Sequence, residues 1–299
     1  MSDSPVLVTG ATGFIGGRLA RRLVDAGVPV RAMARNASAS VAPGAELVVG
    51  DLTDHASLER ACEGVSAVIS CAAITGDKKA PAGGYDAVNA EGIGALAQAA
   101  TKAGAGRLIH FGGIDTAGAK PGPYLTGRRR GEELLKAAGV PWTILQPSVQ
   151  FGPGSPFIRA MSGLVKGPIV PVAGNGRTKI QLIHVDDVCR AAQDCLTGDG
   201  RLGRYVELGG PEAVEYDRVL DVIGGAMGKP KVRKVHAPMG IVKLQAKLLQ
   251  VLPNPPVTPA AVELLEHDNV AASLDVVERE FGFQPVGFAA HVASHGLEL

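Results

Sequence analysis

Three glycines, Gly10, Gly13 and Gly16, stand between a short apolar run, Pro5-Val6-Leu7-Val8-Thr9, and a segment carrying Leu19, Leu23 and Val24 at helical spacing. A β-rich run passing directly into a 3.6-residue period places the glycines in a strand-to-helix turn. Such a turn leaves backbone N–H groups at the positive end of a helix, where an anion is favoured. Glycine clusters also mark ordinary tight turns, so the strands beyond the turn decide between the two. The full stretch, Thr9-Gly10-Ala11-Thr12-Gly13-Phe14-Ile15-Gly16, is that of a site for a dinucleotide pyrophosphate, with Gly10, Thr12, Gly13, Phe14, Ile15 and Gly16 as its candidate residues.

A dinucleotide fold reads the adenosine ribose about 20 residues further on, at the end of the second strand. Here that strand is Val28–Ala34, and it closes with Arg35-Asn36 instead of Asp or Glu. A carboxylate would accept from the 2′-hydroxyl of NAD, whereas a guanidinium offers a planar donor fork suited to a 2′-phosphate. The expected cofactor is therefore NADP(H), with Arg35 on the phosphate. Arg18 and Arg31 are further cations near the same end, each with an alternative reading as a surface or edge residue.

The third strand, Glu46-Leu47-Val48-Val49, runs into Gly50-Asp51-Leu52, and the fourth, Ala67-Val68-Ile69-Ser70, into Cys71-Ala72-Ala73. Asn89 lies further on, in Asp86-Ala87-Val88-Asn89-Ala90-Glu91-Gly92. With the glycine motif, these segments resemble the extended and atypical short-chain dehydrogenase/reductase superfamily over nearly the whole chain. The resemblance implies that Asp51 meets the adenine amino group, Leu52 covers the ring, Ala72 and Ala73 border the ribose, and Asn89 tethers a helix near the active site.

Family members with full activity carry a Ser after the fifth strand and a Tyr-x-x-x-Lys on the next helix. This chain has Arg107-Leu108-Ile109-His110-Phe111-Gly112-Gly113 and then Tyr124-Leu125-Thr126-Gly127-Arg128, so Gly113 stands for the Ser and Arg128 for the Lys. A tyrosine with an ordinary pKa of about 10 relays protons poorly at neutral pH unless a cation favours its phenolate. Arg128, one helical turn from Tyr124, supplies a permanent charge but cannot give up a proton. Tyr124 and Arg128 are candidate catalytic residues, with Thr116 or Asp115 as a substitute substrate contact. The competing reading leaves Tyr124 as packing and Arg128, Arg129 and Arg130 as a solvated face paired with Glu132 and Glu133.

Strand and helix patterns alternate from Pro5 to about Leu145, which argues for a doubly wound parallel sheet of Rossmann type. Gln146-Pro147-Ser148-Val149-Gln150-Phe151-Gly152-Pro153-Gly154 marks departure into a smaller, mostly helical C-terminal substrate lobe, with Pro147 at the cofactor rim. Residues 1–150 are expected to form the dinucleotide-binding domain, with 178–208 returning to it, and 151–177 with 209–299 the substrate or partner lobe. Lys179–Ile183 reads as a strand, Asp186 and Asp187 as capping and dipole partners in the first turn of the helix after it, and His184 as a turn histidine or a substrate-pocket residue. Phe151, Pro153, Phe157, Met161 and Leu164 are the expected lining of an apolar cleft.

The tail, with Pro255-Pro256-Val257-Thr258-Pro259, Leu264–Val270 and Phe281-Gly282-Phe283-Gln284-Pro285, resembles the branch of the NADPH-binding accessory subunit of respiratory complex I and NmrA-like proteins. That branch includes weak or unproven enzymes. Two functions are therefore expected: an NADP(H)-dependent oxidoreductase acting on a small apolar carbonyl or alcohol, or a catalytically weak NADPH-binding structural, assembly or redox-sensing protein with a protein partner. Arg35 and the missing Ser count against an NAD-dependent sugar-nucleotide epimerase.

A net charge of +1 gives no electrostatic case for nucleic acid. The first strand begins too early for a signal or transit peptide, and no apolar run spans a bilayer, so a cytoplasmic protein is expected. Met239–Leu252 is amphipathic and reads as a lobe helix over the cleft or, less simply, as a peripheral membrane or partner contact. Cys62, Cys71, Cys189 and Cys195 have neither disulfide-scaffold nor metal spacing, and no metal is expected.

Overall fold

The computed structural model describes residues 4–74, 84–114, 122–249, 262 and 265–299. Seven parallel strands form the central sheet: β1 (Val6–Thr9), β2 (Val30–Ala34), β3 (Glu46–Val49), β4 (Ala67–Ser70), β5 (Leu108–Phe111), β6 (Trp142–Pro147) and β11 (Arg204–Leu208). Their order across the sheet is β11-β6-β5-β4-β1-β2-β3. Chain direction across the sheet reverses between β1 and β4, the place where an open α/β sheet offers a crevice beyond its strand ends.

The central strands β1 and β4 are buried along their whole length because both faces are covered. Along β1, Val6 and Val8 enter one core with Leu19 and Leu23 of α1 (Phe14–Asp25) and Val188 of α6 (Val185–Asp194). Leu7, pointing the other way, enters a second core with Leu58 of α2 (His55–Cys62) and Leu96 of α3 (Ile93–Lys102). Each such leucine, fully buried, stabilises by about 1.5–3 kcal/mol relative to exposure.

A third core holds the smaller lobe together: Phe151 of β7 (Gln150–Phe151), Val165 of α5 (Pro156–Lys166), Leu220 and Ile223 of α7 (Tyr216–Ala226), and Phe288. The expected strand Lys179–Ile183 is instead two short strands, β9 (Lys179–Ile180) and β10 (Ile183–His184), and neither belongs to the central sheet. Gln181 breaks the run, because its buried amide donates to the Gly210 carbonyl (2.7 Å) and accepts from the Ala271 N–H (2.8 Å). Three further strands, β8 (Val170–Ala173), β12 (Val214–Glu215) and β13 (Lys234–Ala237), form small two-stranded pairs.

Asp186 and Asp187 stand in the first turn of α6, where carboxylates meet the helix dipole, but neither is its cap. His184, not an aspartate, accepts from the Asp186 N–H (3.3 Å), while Asp187 accepts from Val286 N–H (2.7 Å) and ties α6 to the C-terminal segment. The last helices are α8 (Met239–Leu249), α9 (Val276–Phe281) and α10 (Phe288–His295). Val242 and Ala246 of α8 are buried with Val262, whereas Ile241, Leu244 and Leu248 are exposed. The expected turn at Thr258 and Pro259 lies outside the described residues. Among the described residues no helix is long and apolar enough to cross a membrane.

Candidate active site

The glycine turn after β1 requires its glycines at two points. Gly10 adopts φ +64°, and a Cβ there would stand 2.8 Å from the Ala72 nitrogen. A Cβ on Gly16 would overlap the Gly10 carbonyl oxygen. The turn is thus drawn tight against the loop after β4, and Thr9 Oγ1 accepts from the Ala72 N–H at 3.3 Å. Gly13 caps α1 with no side chain to satisfy the first amides, and no Asp or Glu sits in the first turn. A cradle without side chains at the positive end of a helix fits a pyrophosphate.

Arg35 is exposed just past β2 and has no ion-pair partner among the described residues. Asp51, past β3, uses Oδ1 to accept from Thr53 N–H (2.8 Å) and Thr53 Oγ1 (2.7 Å) in an Asx turn. Leu52 is buried against the π-helical segment Asp86–Gly92, where a Cβ on Gly92 would stand 2.8 Å from its own Cβ. The two auxiliary arginines are committed elsewhere. Arg18 donates to Asp186 (3.1 Å) and to the Pro153 carbonyl (2.8 Å), and Arg31 pairs with Glu46 (3.0 Å) and caps the carbonyls of Ala61 and Glu63.

Asn89 clamps the strand-end loop from the π-helical segment. Its Oδ1 accepts from Ile74 N–H (2.8 Å) and its Nδ2 donates to the Ile74 carbonyl (2.9 Å), holding the chain just beyond Ala72 and Ala73. That segment lies close against α4 (Pro123–Ala137): a Cβ on Gly131 would overlap the Asn89 carbonyl, and one on Gly127 would stand 3.1 Å from the Tyr85 carbonyl. Arg130 closes the same seam from outside by chelating Asp86 (2.7 and 2.8 Å) and contacting Glu91.

Along α4, Tyr124, Arg128 and Glu132 follow one another at four-residue spacing and are all buried. The solvated-face reading therefore fails for Arg128 and holds for Arg130, whose side chain is half exposed. The Arg128 guanidinium fills the space beside Gly113, and a Cβ on Gly113 would stand 2.8 Å from Nη1. Its Nε lies 3.7 Å from Glu132 Oε1. Tyr124 meets Tyr85 edge to face at 5.5 Å between ring centroids.

His110 also belongs to this group, although no motif in the sequence marks it. It is buried on β5, 3.2 Å from Ser70 Oγ through Nδ1, and burial together with the Arg128 charge pushes its pKa down to about 4. A neutral imidazole therefore faces the site. The signal was a polar residue inside an otherwise apolar strand, immediately before Gly112-Gly113. Cys71, also at the rim, is held well above the usual thiol range by burial and by Cys189, so it stays protonated and is no nucleophile.

One cleft of about 630 Å³ joins the glycine turn to the Tyr124–Arg128 group, whereas Gly10, Thr12, Arg35, Asp51, Leu52 and Ala72 are not among its lining residues. Gly13–Gly16 and Ala73 lie at one end; His110, Gly113, Tyr124, Arg128 and Pro147 lie in the middle; Phe157, Met161, Tyr216 and Leu265 form an apolar far wall. Phe157 and Met161 line it as expected, but Phe151 does not: it is buried in the smaller lobe's core against Phe288 (5.3 Å between centroids). Pro153 and Leu164 also lie away from the lining. No described residue of α8 reaches the cleft, so the expected lid role falls away. Ser148 and Asn269 join the rim, with Ser148 Oγ donating to Asn269 Oδ1 at 2.6 Å. Thr116 and Asp115 lie outside the described residues.

A family model described as NAD(P)H-binding matches residues 10–152. The chain is 31% identical to a (4-alkanoyl-5-oxo-2,5-dihydrofuran-3-yl)methyl phosphate reductase of Streptomyces griseus, covering 91% of this chain and 90% of that protein. It is 29% identical to an NAD(P)H azoreductase of Xenophilus azovorans, covering 97% and 99%. A solved short-chain dehydrogenase/reductase superfamily protein from Agrobacterium tumefaciens with bound NAD superimposes with a TM-score of 0.72 over 98% of this chain and 95% of that one, at 22% identity, which shows the fold.

Proposed function

We propose, on the premise that this chain belongs to the NAD(P)H-binding atypical short-chain dehydrogenase/reductase family, that it is an NADP(H)-dependent reductase of a small, largely apolar carbonyl or related unsaturated compound. The observation that carries the reading is the single cleft running from the glycine turn past Tyr124 and Arg128 to an apolar wall. The relatives named as reductases support the same class of chemistry.

The cofactor, when bound, supplies a hydride. Gly10, Thr12, Gly13, Phe14, Ile15 and Gly16 would hold its pyrophosphate, with Asp51, Leu52, Ala72 and Ala73 about the adenosine, Arg35 on the 2′-phosphate, and Asn89 and Pro147 toward the nicotinamide. Tyr124 delivers the balancing proton to the substrate oxygen. Arg128 stabilises the charge that develops there, from the space a serine side chain takes in fully equipped relatives, and favours the Tyr124 phenolate left behind. Phe157, Met161 and Tyr216 exclude water and grip the apolar portion of the substrate. Thr116 remains a candidate substrate contact.

The test is NADPH oxidation with a panel of aldehydes, ketones, quinones and azo compounds, repeated with Tyr124→Phe. Turnover that survives in the variant removes Tyr124 as the proton donor. Gly113, which offers no hydroxyl to a substrate, favours a second reading: a protein that holds NADPH tightly and is read by a partner. Tight NADPH binding with no turnover across the panel would select it.

A further inference from the structure

Outside the cleft, His184 presents a buried ring nitrogen, Nε2, with no hydrogen-bond partner among the described residues. The residue is only 6% exposed. A polar atom orphaned at that depth is destabilising unless a ligand satisfies it. Across from it stand His291 of α10, with its ring centroid 4.7 Å from that of His184, and Glu298, whose Oε2 lies 2.7 Å from His291 Nε2. One ring nitrogen of each histidine and one carboxylate oxygen all fall within 4.8 Å of one another. Glu298 is held in a left-handed conformation (φ +47°), the one non-glycine residue so placed among those described, and its carbonyl accepts from Gly154 N–H at 2.8 Å.

We propose that His184, His291 and Glu298 form a binding site for a divalent cation of zinc type. Two imidazoles and a carboxylate are the donor set of a borderline cation, whereas magnesium and calcium take oxygen cages. Tetrahedral coordination at about 2.1 Å needs ligand atoms about 3.4 Å apart. Metal binding would require side-chain rotation of His291 and Glu298, the two partly exposed members, to bring the present spacings to that value. Exposure rises from His184 through His291 to Glu298, leaving a solvent side for a fourth, water ligand. Ligation through Nε2 puts the His184 proton on Nδ1. There the Asp186 carboxylate, 3.8 Å away and anchored by Arg18, replaces the 3.3 Å amide contact as its partner.

The site would staple the start of α6 to the C-terminal segment. His184 also abuts Phe151 at 5.1 Å between ring centroids, so the staple braces the smaller lobe behind the cleft wall without entering the cleft. His184 lies far in the chain from His291 and Glu298, and for that reason no local spacing announces the site.

The experiment is calorimetric titration of chelator-treated, tag-free protein with zinc chloride alone, with melting temperature measured in parallel and no cofactor present. One equivalent should bind and raise the melting temperature. His291→Ala and Glu298→Gln should each weaken binding about tenfold or more and abolish the thermal shift. Both variants should melt near the wild-type temperature without metal, and exposed His267→Ala should bind as wild type does. Failure of the wild-type protein to bind zinc stoichiometrically, or undiminished binding in the two ligand variants, overturns the proposal.

Discussion

Arg128 and Gly113 share one volume: the guanidinium Nη1 stands 2.8 Å from where a Cβ on Gly113 would lie. The two departures from the family's Ser and Lys are thus one structural event, in which a longer side chain takes the room left by a missing one. Gly113→Ser alone should crowd a buried group and destabilise by about 1–3 kcal/mol. Gly113→Ser with Arg128→Lys should recover part of that loss. Denaturant unfolding of the two single variants and the double reads the coupling directly, and strictly additive effects would show that the positions do not compete.

Arg128 also offsets a buried carboxylate. Glu132 and Arg128 are 7% and 8% exposed at their side chains, so Arg128→Met leaves a buried negative charge and should cost about 3–5 kcal/mol. Arg128→Met with Glu132→Gln should regain most of it, as measured by chemical denaturation. A small loss in the single variant would mean that Glu132 finds compensation elsewhere.

His110 links the site to pH. Its folded pKa of about 4 lies below the ordinary 6.5, so between those values the unfolded chain takes up a proton that the folded one refuses. Stability contributed by the neutral imidazole is complete above about pH 6.5 and is lost as pH falls toward about 4. From about pH 7.5 to about pH 5 the loss is about 2 kcal/mol. His110→Gln should lack this component, and unfolding free energies of wild type and variant that decline in parallel would refute it.

The glycine turn was legible because its determinants are local: a strand, a positive-φ glycine and a helix lie in adjacent residues. The alternation of strands and helices that implies a doubly wound parallel sheet came from the same kind of pattern. What stayed hidden depends on packing between distant segments. Gln181 sits in an apolar run that reads as a strand, yet its amide is spent on Gly210 and Ala271. Phe151 looks like a cleft wall until Phe288, from the far end of the chain, claims it for a core. Arg128 reads as one of three solvated arginines until Glu132 and Gly113 bury it.

Asn89 should be a stability residue as much as a site residue. Its two bonds to Ile74 (2.8 and 2.9 Å) hold the loop that borders the cleft. Asn89→Ala leaves both Ile74 backbone groups unpaired and should cost about 2 kcal/mol. Hydrogen exchange at the Ile74 amide should accelerate in the variant. Unchanged protection there would mean that the loop is held by other contacts.

Arg35 is the residue proposed to select between the two nicotinamide cofactors. It projects beyond β2 with no ion-pair partner among the described residues, where NAD-binding proteins place a carboxylate. A guanidinium there attracts a 2′-phosphate and repels nothing in NADH, so the wild-type protein should prefer NADPH without rejecting NADH. Removing a charge-assisted contact costs about 1.5–3 kcal/mol, or about tenfold to a hundredfold in affinity. Arg35→Ala should lose that much for NADPH and little for NADH. Arg35→Asp should go further and invert the order, because its carboxylate repels the phosphate and accepts from the ribose hydroxyl. Titration of all three proteins with both cofactors by fluorescence measures the ratio, and equal wild-type affinities would remove Arg35 from the phosphate site.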